Sequence, residues 1–92
     1  MRIVWDPAKA KANLRKHGIR FSDAEGVLFD PLALAREDET SQGEARFVAI
    51  GVDHAGKLTV VAFAQEGEII RLISARCATR KERHKYEAGI RL

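Results

Sequence analysis

Arginines stand where phosphate chemistry would need them. Arg46 opens a run rich in apolar residues, Arg71 lies inside Ile69-Ile70-Arg71-Leu72-Ile73, and Arg76 follows just beyond. A guanidinium binds phosphate through a planar pair of donors and stabilises charge that develops on a phosphoryl group. The apolar neighbours of Arg71 leave two readings open, an edge residue that snorkels to water or a group aimed into a site. After Arg76 comes a dense basic segment, Arg80, Lys81, Arg83, His84 and Lys85, with Tyr86 at its end. His17, Glu44, His84 and Tyr86 are candidate proton carriers. Cleavage of RNA without a metal needs only such parts, because the neighbouring 2′-hydroxyl is already a nucleophile. One group takes its proton, a second stabilises the phosphorane, and a third assists the leaving 5′-oxygen. Plainer readings stand beside these. A histidine on a helix stripe is more often packed than catalytic, and a basic terminal helix is often only a solvated face.

Other chemistries find less support. His17, His54, His84 and Cys77 lack spacings such as C-x-x-C or H-x-x-x-H, so no metal site is expected. No phosphate-binding glycine loop, G-x-G-x-x-G or nucleophile elbow is present, so no cofactor is expected. Glu37-Asp38-Glu39 reads as a solvent-facing run of acids. Cys77 follows a basic residue but has no evident orienting base. As the single cysteine it cannot form an intrachain disulfide, which suits a reducing cytoplasm.

Charge is distributed unevenly. Residues 1–20 carry six basic side chains and one acid, residues 21–56 two basic and eight acidic, and residues 69–92 seven basic and two acidic. Basic ends brought together by folding would make one positive face that attracts polyanions. The bland alternative is that ends and middle pair across the surface. The chain has 92 residues, 46% hydrophobic and 32% charged, which fits one globular domain over 1–92 and argues against disorder. No apolar run approaches the roughly 18 residues of a membrane span, and the N-terminus lacks a signal-peptide core.

The elements that must position these groups follow from local signals. Residues 2–5 read as a strand. Asp6 is a helix N-cap, Pro7 suits the first helical position, and a helix to His17 stops at Gly18. Its stripe is Ala10, Leu14 and His17, with Asn13 beside it. Ser22 to Glu25 has a capping-box pattern that opens a short helix to Leu28, ended by Asp30-Pro31. Residues 32–36 suit a short strand and 37–44 an exposed loop. Three strands, 46–52, 58–64 and 69–75, are joined by hairpin-length links. Thr79 to Glu82 is a second capping box and opens a terminal helix. The order β-α-α-(β)-β-β-β-α predicts an α+β fold, an antiparallel sheet with helices packed mainly on one face and the other face half-covered. Trp5→Ala should cost about 3–5 kcal/mol if the indole is fully buried.

Taken together the motifs resemble the BrnT family of toxins from type II toxin–antitoxin systems. They are Trp5-Asp6-Pro7 with Lys9, Asn13 and Lys16-His17-Gly18; Phe21, Ala24 and Phe29-Asp30-Pro31; Gly43-Glu44-x-Arg46 and Ile50-Gly51; then Ile70-Arg71-Leu72-Ile73-Ser74-Ala75-Arg76-x-Ala78-Thr79, Glu82-Arg83 and Tyr86. The family usually has Lys at the position of Cys77, and His84 is not one of its features. The resemblance implies a RelE-like fold and a metal-independent endoribonuclease that inhibits translation by cutting RNA, with the ribosome as a possible partner. It implies a cognate antitoxin with a ribbon-helix-helix DNA-binding part, through which alone operator DNA would be reached. Under it Arg46, Arg71 and Arg76 would bind the scissile phosphate region and stabilise charge, His17 with Lys16 or Tyr86 would move protons, and Arg80, Lys81 and Arg83 would hold the RNA backbone. The alternative is a non-catalytic module that binds nucleic acid or the antitoxin. With Tyr86 and Trp5 as the only evident stacking surfaces, low intrinsic sequence preference is expected.

Overall fold

The computed structural model describes residues 1–39 and 44–90; Gly43 and half of the expected 37–44 loop lie outside the described residues. Strand β1 (Arg2–Val4) leads into helix α1 (Pro7–His17), short helix α2 (Phe21–Ala24) and a 3-10 turn (Glu25–Phe29). Strands β2 (Leu34–Glu37), β3 (Ala45–Val52), β4 (Leu58–Glu66) and β5 (Ile69–Cys77) follow, and helix α3 (Arg80–Ile90) ends the described chain.

The strands form one sheet in the order β1-β5-β4-β3-β2. The meander β2 to β5 is antiparallel as expected, but β1 pairs parallel to β5, so the sheet is mixed. This is a correction: the first strand lies beside the last, and the chain enters at an edge that no hairpin could reach.

Local chemistry explains the first helix. The Asp6 carboxylate accepts the Ala8 N–H at 2.9 Å, Pro7 occupies the first turn, and Gly18 closes the helix at φ 73° with its N–H on the Leu14 carbonyl. The second expected cap does not form. Phe21, 2% exposed, is drawn into the core as the first residue of α2, so Ser22 lies inside the helix and makes no cap bond.

α1, α2 and the 3-10 turn cover one face of the sheet. Ile19, Phe21, Ala24 and Val27 pack there on Ala49, Val61, Phe63, Ile70, Leu72 and Ala75. Phe47 stacks on Phe63 at 5.5 Å, and Trp5 meets Phe21 edge-on at 6.0 Å. Trp5 is only half-buried at the rim of this core, so its truncation costs less than full burial implies, about 2–3 kcal/mol.

α3 packs on the opposite face and covers part of it. Only Tyr86 among its described side chains is buried, so an apolar stripe does not hold it. Polar ties do. The Tyr86 hydroxyl donates to Asp30 at 2.7 Å, and the same carboxylate accepts the N–H groups of Leu32 and Val52. Gly89 lets the helix approach Leu34 so closely that a Cβ there would lie 2.8 Å from its Cδ2.

Asn13 joins α1 to β5. Its Nδ2 donates to the Ala75 and Ile19 carbonyls at 2.9 and 3.0 Å, and its Oδ1 accepts the Ala75 N–H at 3.0 Å. It takes the place of a neighbouring strand where β1 has ended. Asn13→Leu should lower stability by about 3 kcal/mol or more, since three buried backbone groups, the N–H and carbonyl of Ala75 and the carbonyl of Ile19, lose their partner at roughly 1–3 kcal/mol each. Urea denaturation measures this; a loss below about 0.5 kcal/mol would show that β5 holds its course without the side chain.

Candidate active site

Arg71 and Arg76 are five residues apart, and strict alternation along a strand would place them on opposite faces. One extra residue changes that. Phe63 pairs with Leu72 but Ala62 pairs with Ser74, which leaves Ile73 without a Cα partner. This β-bulge reverses the phase of the strand beyond it. Arg71 then lies opposite Ala64 and Arg76 opposite Val60, positions on the same face of β4. Arg46 also pairs with Ala64, and Val4 pairs with Arg71. Arg46, Arg71 and Arg76 therefore share one face, the one that carries α3.

α3 covers only part of that face. It lies over β2 and β3, with Glu82 and Lys85 across a groove from Val48 and Ile50. The row Arg46–Ala64–Arg71 stays open beside a shallow cavity of about 220 Å³ lined by Val4, Glu44, Ala64, Gln65, Ile69 and Arg71. Ala64 is the small floor between the two guanidiniums.

The face holds two arginine centres, not one. In the first, Glu44 Oε1 accepts from Nη2 of Arg71 and from Nη2 of Arg46 at 3.3 Å. The hydrogen bond from Arg71 is the main influence and holds the Glu44 carboxyl below the usual range; desolvation opposes it, and the charge of Arg71 and then the hydrogen bond and charge of Arg46 add to it. In the second, Arg76 donates from Nη1 and Nη2 to the two oxygens of Glu82 at 2.8 and 2.9 Å, a bidentate pair. Glu82 also accepts the Thr79 N–H, while its own N–H donates to the Thr79 hydroxyl, so the expected capping box forms. Arg76, ahead of the Thr79 contacts, holds the Glu82 carboxyl at about 2, and Glu82 raises the Arg76 guanidinium in return. Arg71 and Arg76 lie opposite positions four residues apart on β4, about 13 Å at roughly 3.3 Å per residue. The backbone positions of Arg76 and of the Arg46–Arg71 pair are thus set apart along the strand, and each centre has its own carboxylate.

The other expected residues divide. His17 and Lys16 belong to α1, in the layer on the far side of the sheet from the arginines. Tyr86 is on the arginine face but is buried, with its hydroxyl given to Asp30; that bond, with desolvation, pushes the phenol up to about 12 and keeps its proton in place at neutral pH. Arg80, Lys81 and Arg83 are exposed on α3, as is His84. Cys77 is exposed, and its carbonyl accepts from Arg76. Among the described residues no three His, Cys, Asp or Glu side chains gather as metal ligands. Sequence reasoning missed the partnership of Glu82 with Arg76, because the residues meet across a strand end that only the fold brings together. It also missed the Asp30 tie, since Asp30-Pro31 reads simply as a helix stop.

The Glu82 carboxyl lies near 4.5 when unperturbed and near 2 here, so its pairing stabilises the fold above pH 4.5. That contribution is lost as pH falls from about 4.5 towards 2. Acid unfolding of the Glu82→Gln variant should show a shallower fall in stability over this window; an unchanged slope would mean that the pair adds nothing.

Residues 5–82 match the family model described as ribonuclease toxin, BrnT, of type II toxin–antitoxin system. The crystal structure of the Brucella abortus ribonuclease toxin BrnT is similar, with 32% sequence identity and a TM-score of 0.64 over 87% of this chain and 99% of that one. No curated protein matches the chain in sequence. No helix among the described residues is long and apolar enough to cross a membrane. A mixed sheet that carries its arginines on a half-open face, the family match over most of the length and the BrnT crystal structure converge: the chain belongs to the BrnT family of ribonuclease toxins of type II toxin–antitoxin systems.

Proposed function

We propose that the protein is a metal-independent endoribonuclease that arrests translation by cutting RNA in the cytoplasm, with a fold of the RelE type. The observation that carries this is one carboxylate, Glu44, set between two guanidiniums over a small floor in the open half of the sheet face. Glu44 takes the proton of the 2′-hydroxyl. The freed oxygen attacks phosphorus, Arg46 and Arg71 stabilise the equatorial charge, and the P–O5′ bond breaks as its oxygen gains a proton from water. The products are a 2′,3′-cyclic phosphate and a 5′-hydroxyl. His17 and Lys16, in the far layer, and Tyr86, bound to Asp30, are not assigned proton transfer here. Arg80, Lys81 and Arg83 extend the positive surface along α3 towards the RNA backbone. The partner class is an antitoxin; a ribbon-helix-helix part in it would bring the complex to operator DNA.

A second reading, a module that binds RNA or antitoxin without cutting, draws on one fact: each arginine centre already holds a carboxylate.

Purified protein should cleave RNA in the presence of a chelator and leave cyclic phosphate ends. Arg71→Ala should lower kcat by about 10²–10³-fold and Glu44→Gln by about 10²–10⁴-fold, with circular dichroism unchanged. Induction of the parent should arrest growth, and Arg71→Ala should relieve it. RNA that is shifted in a gel but never cut would establish the second reading.

A further inference from the structure

The second arginine centre has donors to spare. Arg76 gives the outer ends of its fork, Nη1 and Nη2, to Glu82, and Nη1 also donates to the Cys77 carbonyl at 3.3 Å. The other edge of the guanidinium, Nε–H with the second hydrogen of Nη2, has no partner among the described residues. A guanidinium is rigid and planar, so a carboxylate that grips one edge fixes the direction of the other. The Arg76 side chain is 42% exposed. Between this centre and the first, the face is floored by Ala62, Ile73 and Ser74, all half-buried and two of them small. A strand lying along β4 and β5 meets only Ile73 as a large side chain there, and that residue is half-buried.

We infer that Arg76 is a separate phosphate subsite. Its side-on edge, aimed by Glu82, binds a flanking phosphodiester of the same single strand whose scissile phosphate lies at Arg46 and Arg71. This rests on the ribonuclease reading and deepens it: the substrate is a single strand long enough to place two phosphates about 13 Å apart along the sheet. Glu82 is a positioning residue, acting through Arg76 and not on the RNA.

A ladder of oligonucleotides tests it, each with one ribose among deoxyriboses and lengthened by one phosphate at a time on either side. For the parent protein kcat/KM should rise abruptly, by about tenfold or more, at the length whose added phosphate reaches Arg76. Arg76→Ala should abolish the step, and Arg76→Lys, which keeps the charge but loses the planar edge, should restore less than half of it. Glu82→Gln should shrink the step through KM, with kcat retained on the longest substrate. A smooth rise without a step, a step that survives Arg76→Ala, or an equal loss at every length in that variant would overturn the assignment. If the parent cuts none of them, the ribonuclease reading fails. The subsite is then judged by Kd for the all-deoxy ladder in fluorescence anisotropy, where the same step is expected and its absence counts against Arg76.

Discussion

One unpaired residue, Ile73, decides on which side of the sheet the arginines gather. Without the bulge, Arg71 would face the open layer and Arg76 would be driven onto the core face with Leu72, where an unpaired guanidinium is expensive. The bulge can form because β1 releases the edge of β5 at Arg71. Asn13 then takes both backbone groups of Ala75, just beyond the irregularity, and holds the shifted register in place. A buried polar side chain on a helix thus sets the phase of a strand, and the phase sets the electrostatics of a surface.

The same face has to be covered and open at once. Full burial under a helix would hide the first arginine centre, and a bare face would expose Val48, Ile50 and Val60 to water. α3 resolves this with few apolar contacts. It is fastened at its far end by Tyr86 and Gly89 and at its near end by the Thr79–Glu82 box and the Arg76 pair. Glu82 therefore caps its own helix while it orients an arginine of the sheet, which joins the stability of α3 to the shape of the candidate site.

Much of this was legible in the sequence. Asp6-Pro7 and Gly18 set the limits of α1, and Thr79 with Glu82 fixed the start of α3, because caps are local and depend on few residues. The three-strand meander followed from β-branched runs separated by short links. What was hidden is non-local. Nothing in the order of residues tells that β1 lies parallel to β5, that Ser22 loses its capping role to the burial of Phe21, or that a bulge falls at Ile73. The half-covered face was anticipated, yet its cover came from the helix that looked least able to pack. Arg71 and Arg76 stand out in the sequence for their setting, but the bulge that brings them to one face cannot be seen until the strand pairing is known. His17 and Tyr86 were chosen by residue type; the layer of one and the hydrogen bond of the other come from the tertiary fold.

The layer of the molecule that meets RNA decides the function of the arginine face. A 2′-O-methyl tetranucleotide, which cannot be cleaved, titrated into isotope-labelled protein would report this through the side-chain Nε–H signals of arginine in nuclear magnetic resonance. The signals of Arg46, Arg71 and Arg76 should move together while those of His17 and its neighbours on α1 stay in place. Movement of the α1 signals with the three arginines unchanged would contradict it.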